Sequence, residues 1–206
     1  MSNTSTREKW DQRYLDADLP GDPAEVLSEN QHLLPVGGTA LDLACGLGAN
    51  ALLLAEHGLD TLAWDISPVA VEKLGAIAHR RGLPLRAESK DLSTCILPPA
   101  RFDVIVVAHY LERPLIPAII DALTVGGLLF FQTFTRTALS DAGPKIPEWR
   151  LADGELWYLF QPLRPVVYRE EGLLGDTRRG FRDKAQLVAI KDPGPRAMGC
   201  VKDRTD

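Results

Sequence analysis

The sequence of 206 residues has few cysteines and no long apolar run, and both features limit the classes of protein to which it can belong. Cys45, Cys95 and Cys200 are widely spaced, without the paired spacing of a zinc site, so we expect reduced thiols and no bound metal. No apolar run approaches the roughly 20 residues of a membrane-spanning helix, and residues 1–9 lack the apolar core of a signal peptide. We therefore expect a cytoplasmic protein with no membrane partner.

The chain also has fewer positively charged than negatively charged residues. The chain has 23 Lys and Arg against 28 Asp and Glu, which gives a net charge of −5. A protein that grips a nucleic-acid backbone usually presents a basic face, so a nucleic-acid partner is disfavoured. The apolar fraction of 45% and the charged fraction of 25% are typical of a globular protein. The length suits a single domain over residues 1–206, and nothing in the sequence indicates an oligomeric partner.

Short apolar strands alternate with helices through most of the chain. This pattern predicts an α/β fold: a doubly wound, mostly parallel sheet of seven strands, with helices on both faces and a C-terminal antiparallel strand pair. The predicted strands cover residues 40–44, 61–65, 85–88, 102–108, 128–135, 166–171 and 185–191. We expect residues 1–35 to form an N-terminal helical lid, with a helix over about 24–34, residues 36–192 the core, and residues 193–206 a poorly ordered tail.

A glycine-rich turn follows the first strand and opens a helix. In a doubly wound sheet, ligands bind at the carboxyl ends of the strands where the strand order reverses. Gly46, Gly48 and Ala51 fit the G-x-G-x-x-G/A spacing of dinucleotide binders, and Asp65, at the end of the second strand, suits a ribose of either cofactor. Asp42 is an unfavourable neighbour for a pyrophosphate but a favourable one for the cationic groups of S-adenosylmethionine; alternatively it only caps a local turn.

Four segments in order resemble the motifs of the class I S-adenosylmethionine-dependent methyltransferases, namely residues 41–50, 64–68, 90–92 and 102–110. Ala44 stands where that family usually has its first glycine. The resemblance implies that Asp65 binds both ribose hydroxyls and that Ile66 lines the adenine. It also implies that Asp91 accepts from the adenine amino group and that the Leu92 amide faces a ring nitrogen. The full cofactor set expected on this basis is Trp10, Arg13, Tyr14, Asp42, Ala44, Cys45, Gly46, Gly48, Asn50, Asp65, Ile66, Ser67, Asp91, Leu92, Ala108 and His109.

The chain outside these motifs resembles a narrower group, the tellurite-resistance (TehB-type) and thiopurine-methyltransferase-like enzymes. The resemblance rests on Trp10, Arg13 and Tyr14, on the lead-in to the glycine turn, and on residues 153–189. It implies S-adenosylmethionine as cofactor and a small-molecule acceptor, with a soft sulfur, selenium or tellurium nucleophile as the acceptor class.

The chemistry is expected at the end of the fourth strand. A soft, already anionic nucleophile needs no general base in methyl transfer, whereas a hydroxyl or a protonated amine does. His109 is the candidate base and Tyr110 could orient an acceptor; alternatively His109 packs over the adenosine. Trp10 and Tyr14 are expected to close over the cofactor and exclude water, or else to form a hydrophobic staple of the first helix.

Two further groups are candidates for the acceptor side. Thr133 and Arg136, around the end of the fifth strand, could line an acceptor pocket. A late basic cluster suits either a carboxylate or oxyanion site or a solvated turn. Its members are Arg178, Arg179, Arg182 and Lys184.

Three rival functions remain open. They are an NAD(P)-dependent oxidoreductase, a non-catalytic module that binds S-adenosylmethionine, and an RNA methyltransferase, which the charge disfavours. The fourth strand is not followed by Asn-Pro-Pro-Tyr, Asp-Pro-Pro-Tyr or Pro-Cys, as in enzymes that methylate amino groups or cytosine. These absences favour a small acceptor over a macromolecule.

Overall fold

The structure, a computed structural model, describes residues 3–17 and 19–194. Residues 195–206, with Cys200 and most of the tail that we expected to be poorly ordered, lie outside this part. The helices are α1 Asn3–Leu15, α2 Glu25–Ser28, α3 Ala49–Glu56, α4 Pro68–Arg81, α5 Ile116–Ala122 and α6 Glu155–Leu159. The strands are β1 Thr39–Leu43, β2 Asp60–Asp65, β3 Leu85–Ser89, β4 Phe102–Ala108, β5 Leu123–Phe134, β6 Arg164–Arg169 and β7 Lys184–Ile190.

The strands form a seven-stranded sheet in the order β3-β2-β1-β4-β5-β7-β6. Strands β1 to β5 are parallel to one another, whereas β7 is antiparallel to both β5 and β6. The predicted fold class is therefore confirmed, including the C-terminal antiparallel pair. The order reverses between β1 and β4, and this places the switch point at the carboxyl ends of these two strands.

Apolar side chains cover both faces of the central strands, so these strands are buried on both sides. On one face, β1, β4, β5 and β7 pack against α5 and α6 around Phe131 and Phe160. On the other face, the same strands pack against α2 around Val26 and Phe130. Helices α3 and α4 complete that second face by packing against β2 and β3. The helices thus lie on both faces, as the sequence predicted.

The second helix is shorter than the predicted span of about 24–34. Helix α2 ends at Ser28, and a short 3-10 helix follows over Gln31–Leu33. The side-chain amide of Asn30 donates to Val26 O at 3.0 Å, and that of Gln31 donates to Ser28 O at 2.9 Å. These side chains take carbonyl groups that backbone amides would bind in a continuing α-helix, so they compete with the helix and end it.

Candidate functional site

The chain leaves β1 through a tight turn at the switch point of the sheet. Ala44 (φ 55°), Gly46 (φ 53°) and Gly48 (φ 84°) all have left-handed backbone conformations. The Gly48 amide donates to Cys45 O at 2.9 Å, and α3 begins at the next residue. The turn therefore places the N-terminus of α3 beside the carboxyl ends of β1 and β4.

Two of these three positions have no room for a side chain. A Cβ on Gly48 would lie 2.4 Å from a methyl carbon of Leu74, and a Cβ on Gly46 would lie 2.8 Å from the Tyr14 hydroxyl. Ala44 carries its Cβ in the same left-handed region, which costs about 1–2 kcal/mol. This position is the one at which class I methyltransferases usually have glycine, so the departure noted in the sequence has a conformational cost.

The carboxylate of Asp65 joins the end of β2 to the glycine turn. Its Oδ2 accepts from the Gly46 amide at 2.8 Å, and its Oδ1 accepts from the Ser67 amide at 2.9 Å. The residue is only 4% exposed, and burial raises the pKa of Asp65 above its ordinary value while the two amide donors oppose the rise. The carboxylate is thus fixed in one orientation at the switch point, with lone pairs left for further donors.

Asp42 is fully buried under the turn and does not line a cleft. Its Oδ2 accepts from the Ala51 amide in the first turn of α3 at 3.1 Å. Within residues 3–17 and 19–194, its Oδ1 has no hydrogen-bond partner. Burial raises the pKa of Asp42 to about 8, although the Ala51 amide and the Asn50 side chain lower it. This is the capping role that the sequence left open, and it weakens the argument that the charge of Asp42 selects the cofactor.

The other members of the predicted loop set also face the protein interior. Asn50 is buried, and its Oδ1 accepts from the Ala24 amide at 2.9 Å, which ties α3 to the start of α2. Cys45 is buried as well, and burial raises the pKa of its thiol well above the ordinary value. These two residues therefore support the turn from the side of the protein interior.

Helix α1 covers the glycine turn. Tyr14 lies against Gly46, and its ring stacks on that of Trp10 with centroids 5.7 Å apart. Burial, and after it the carboxylate of Asp65, raise the pKa of Tyr14 well above its ordinary value. Arg13 is exposed, with its guanidinium 5.4 Å from the centre of the Trp10 ring. Of the three predicted residues of α1, Tyr14 therefore lies beside the turn, Trp10 stacks on Tyr14, and Arg13 lies against Trp10.

Helix α4 holds α1 in this position. The Lys73 ammonium donates to the backbone carbonyls of Tyr14 and Ala17, each at 2.8 Å. The Tyr14 carbonyl lies in the last turn of α1 and the Ala17 carbonyl just after it, where backbone acceptors lack partners within the helix. Asp11 forms a hydrogen bond with the Ser67 hydroxyl at the N-cap of α4. Sequence reasoning missed Lys73, because nothing local marks it as a capping residue.

The third motif lies next to Asp65. The Lys90 amide donates to Asp65 O at 2.8 Å, which brings Asp91 and Leu92 to the same edge of the sheet. The Asp91 carboxylate accepts from the Ser93 amide at 3.0 Å and from the Ser93 hydroxyl at 2.6 Å. Leu92 is buried in the core. The predicted adenine contacts therefore lie on one side of the predicted ribose carboxylate.

The fourth motif completes this edge. Ala108 ends β4 and is half-buried, as are Tyr110 and Ile66. Burial, then Glu112, then Asp91 raise the pKa of Tyr110 well above its ordinary value. Tyr110 therefore remains a neutral hydroxyl on the same side as Asp91.

His109 follows β4 at a left-handed backbone position, with φ 58°. Its amide donates to Gln132 O at 2.8 Å, and its ring lies 5.3 Å from that of Phe134, centroid to centroid. The residue is exposed to solvent, yet desolvation by the protein atoms around the ring lowers its pKa. The Lys184 ammonium lowers the pKa of His109 further and Glu25 opposes both, so His109 is neutral at neutral pH.

A polar group behind His109 was not predicted from the sequence. Gln132 is fully buried; its Oε1 accepts from the Val26 amide at 2.8 Å and its Nε2 donates to Glu25 at 2.5 Å. Glu25 in turn accepts from the Lys184 ammonium at 2.6 and 2.8 Å. One signal was available, since Gln132 is a polar residue after the apolar run of residues 128–131.

The predicted acceptor-side residues lie in structural contacts. Thr133 is buried in the sheet, and the exposed Arg136 donates through Nε to Pro147 O at 3.1 Å. Arg178 pairs with Asp176 at 2.9 Å. The Arg182 side chain donates to Gly172 O at 2.9 Å. These contacts favour the solvated-turn interpretation of the basic cluster.

The remaining members of the cluster follow the same pattern. Arg179 is exposed, and its carbonyl accepts from Arg182 Nε at 2.7 Å. Lys184 is directed to Glu25. The three arginines therefore gather around Asp176 within their own turn, through contacts to its carboxylate or its carbonyl, while Lys184 points elsewhere.

Comparison with known proteins finds a family that matches the part of the chain holding this site. Residues 40–127 match the family described as a methyltransferase domain, and this range includes the glycine turn, Asp65, the third motif and His109. The chain resembles Hemagglutinin 1 of Eikenella corrodens, with 42% identity over 83 residues, 39% of this chain and 27% of that protein. It also resembles ubiquinone biosynthesis O-methyltransferase of Xanthomonas axonopodis pv. citri, with 30% identity over 139 residues, 61% of this chain and 57% of that protein.

Solved structures extend the likeness beyond the methyltransferase domain. TehB from Haemophilus influenzae matches with a TM-score of 0.64 and 22% identity over 90% of this chain and 67% of that one. At this identity the likeness shows the fold, a Rossmann-like methyltransferase fold. Two further matches are S-adenosylmethionine-dependent methyltransferases, from Mesorhizobium loti and Methanosarcina mazei. The chain spans only part of the length of these curated relatives. It covers 27% of the Eikenella protein and 57% of the Xanthomonas protein.

The methyltransferase domain implies S-adenosyl-L-methionine as its cofactor, and the residues present fit an adenosyl group. Because Gly46 has no Cβ, another group can approach its backbone closely, as the Tyr14 hydroxyl does here, and Asp65 offers fixed carboxylate oxygens beside it. Within residues 3–17 and 19–194, His, Cys, Asp and Glu side chains form no group of three or more that could hold a metal ion. No helix in that part of the chain is long and apolar enough to cross a membrane.

Proposed function

We propose that this protein transfers the methyl group of S-adenosylmethionine to a small-molecule acceptor. The observation that carries the proposal is the placement of Asp65, whose oxygens accept from the Gly46 and Ser67 amides at the switch point of a methyltransferase domain. In this proposal Asp65 binds the ribose hydroxyls, with Ile66, Asp91 and the Leu92 amide around the adenine. When bound, the cofactor supplies a methyl carbon activated by positive sulfur, and the protein holds the acceptor in line with it.

The contact between Asp42 and α3 argues against a nicotinamide dinucleotide. Dinucleotide binders place a pyrophosphate on the free amides at the N-terminus of this helix. Here the Ala51 amide is taken by Asp42 at 3.1 Å, and the Gly46 amide in the turn before the helix is taken by Asp65 at 2.8 Å. A pyrophosphate would have to compete with these two carboxyl groups for the amides.

The acceptor class is the finer part of the proposal. We propose a soft sulfur, selenium or tellurium nucleophile, which the fold shared with TehB supports. The relative from Xanthomonas is an O-methyltransferase, so an oxygen acceptor is the competing class. The net charge of −5 supports a small acceptor over a nucleic acid. Within the described residues Cys45 and Cys95 are free thiols, which supports a cytoplasmic location.

Two measurements, made one after the other, test the proposal. Titration calorimetry with S-adenosylmethionine, S-adenosylhomocysteine, NAD⁺ and NADH is expected to show binding of the first two and none of the nicotinamides. Release of S-adenosylhomocysteine is then measured with a panel of thiols, chalcogen oxyanions, phenols and amines. Binding of NADH instead would favour the oxidoreductase. Binding of S-adenosylmethionine without turnover on any acceptor would favour the non-catalytic module.

A further inference from the structure

The side-chain amide of Gln132 has a single possible orientation. Its Oε1 lies 2.8 Å from the Val26 amide, which can only donate. Its Nε2 lies 2.5 Å from Glu25 Oε2, which accepts when the carboxylate is ionised. Exchanging the oxygen and nitrogen would set donor against donor at Val26 and acceptor against acceptor at Glu25. The chemistry of the two partners therefore fixes the amide.

Glu25 is held in its ionised form. Lys184 Nζ lies 2.6 and 2.8 Å from the two carboxylate oxygens, and its side chain is only 19% exposed. Although burial opposes ionisation, the hydrogen bonds from Lys184 and Gln132 bring the pKa of Glu25 below its ordinary value. The acceptor that fixes Gln132 is thus present throughout the neutral pH range.

The fixed amide faces the ring of His109. Gln132 Nε2 lies 3.5 Å from His109 Nε2, and the backbone hydrogen bond between the two residues, 2.8 Å long, holds the ring nearby. The amide nitrogen has two hydrogens; one goes to Glu25, and the other is available to His109. Since an amide N–H can only donate, a proton on His109 Nε2 would face another donor. The neutral ring is therefore favoured with its proton on Nδ1.

We propose that Gln132 is a positioning residue that holds His109 as a neutral imidazole protonated on Nδ1, so that His109 donates a hydrogen bond to the methyl acceptor and does not act as its base. The nitrogen that could take a proton, Nε2, faces the Gln132 amide. The acceptor is then a nucleophile that is already anionic at neutral pH, such as a thiolate or an acidic oxyanion.

The balance of the reaction agrees with this assignment, which rests on the proposed function. An anionic acceptor donates an electron pair to the methyl carbon while the bond from that carbon to sulfur breaks, and the pair in that bond passes to sulfur. The acceptor loses its negative charge and the sulfonium becomes a neutral thioether. No proton is released, so no base is required. A neutral N–H donor is suited to hold such an anion without protonating it.

NMR measures directly which imidazole nitrogen of His109 carries the proton. Long-range ¹H–¹⁵N correlation of the imidazole nitrogens, with His109 assigned by comparison with His109→Gln, is expected to show a protonated Nδ1 and an unprotonated Nε2 at pH 7. Gln132→Met, of similar shape but without the amide, is expected to shift His109 toward the Nε2–H form. A wild-type protein with Nε2 protonated would overturn the proposal whether or not the variant folds. An unchanged ring in a folded Gln132→Met would do the same.

The acceptor class is tested separately, with calorimetry of S-adenosylmethionine as its control. His109→Gln keeps an N–H donor but no base, whereas His109→Ala keeps neither. With a thiolate acceptor, His109→Gln is expected to exceed His109→Ala in kcat/KM by about 10-fold or more. Equal losses of about 100-fold or more in both variants would indicate a base and overturn the anionic-acceptor assignment. If S-adenosylmethionine does not bind to the wild-type protein, the proposed function fails, and the NMR result still decides the role of Gln132.

Discussion

Asp65 accepts a hydrogen bond from the Gly46 amide at 2.8 Å, and this contact joins the end of β2 to the glycine turn that leaves β1. Asp65→Asn keeps the size of the side chain but replaces one acceptor oxygen with a donor, which would oppose either the Gly46 or the Ser67 amide. We expect the affinity for S-adenosylhomocysteine, measured by calorimetry, to fall by about 10- to 100-fold, since hydrogen bonds to a charged group are lost.

The control for this prediction lies on the same strand. Asp60 is exposed at the opposite end of β2, so Asp60→Asn makes the same chemical change away from the turn. It should leave the affinity unchanged. If Asp65→Asn binds as tightly as Asp60→Asn, Asp65 does not hold the ribose and the proposed site is wrong.

Asp42 should make the protein less stable as the pH rises. Its pKa is about 8 in the folded chain and about 4 when unfolded, so between these values the folded state binds more protons than the unfolded state. The free energy of unfolding then decreases with pH across that window, by up to about 1.4 kcal/mol per pH unit. Asp42→Asn resembles the protonated form and should flatten this slope, as measured by urea denaturation between pH 5 and about pH 8.

Asp103 provides a control because its pKa is shifted in the opposite direction to that of Asp42. Burial opposes its ionisation, but hydrogen bonds from Thr39 and Thr124 bring the pKa of Asp103 below its ordinary value. Its stabilising contribution is therefore present at neutral pH and lost only as the pH falls below about 4. Asp103→Asn should lower stability at pH 7 and leave the slope above pH 5 intact. A slope unchanged by Asp42→Asn would show that Asp42 is ionised in the folded protein.

Ala44 should be improved by glycine. Its φ of 55° costs about 1–2 kcal/mol for a residue with a Cβ, whereas glycine adopts this conformation freely. Glycine also makes the unfolded chain more flexible, which offsets about 0.5–1 kcal/mol. We expect Ala44→Gly to raise the free energy of unfolding by up to about 1 kcal/mol. Ala76→Gly, at an exposed position in α4, should instead lower it by about 1 kcal/mol. A loss of stability in both variants would mean that Ala44 is not strained.

The features that could be predicted from the sequence depend on local patterns. Most strands of the sheet contain a short apolar run, and the turn is marked by Gly46 and Gly48, so the fold class and the position of the candidate site followed directly. The length of α2 did not follow, because the side-chain amides of Asn30 and Gln31 compete with its backbone hydrogen bonds.

Pairings between distant parts of the chain could not be predicted. Gln132 and Glu25 are 107 residues apart, and Lys184 and Glu25 are 159 apart, so no local pattern links them. The strand that contains Asp42 was predicted, but not the rise in the pKa of Asp42 that follows from its burial and weakens the charge argument. Sequence reasoning identified His109, but its hydrogen-bonding partner depends on the packing of β4 against β5.

Lys73 should control how firmly α1 covers the glycine turn. Its ammonium donates to the carbonyls of Tyr14 and Ala17 at 2.8 Å, and methionine has a similar shape but no donor. Lys73→Met should therefore release α1, increase its hydrogen exchange and expose residues 3–17 to protease. Because Tyr14 lies against Gly46, we expect the affinity for S-adenosylhomocysteine to change by about 5- to 10-fold. If α1 is a lid that retains the ligand, the affinity falls; if it only blocks an open cleft, the affinity rises.

The control variant is Arg80→Met, which removes a cation from the exposed end of α4 and should change neither the exchange of α1 nor the affinity. An effect of equal size in Arg80→Met would show that the charge of α4, and not the cap on α1, is responsible.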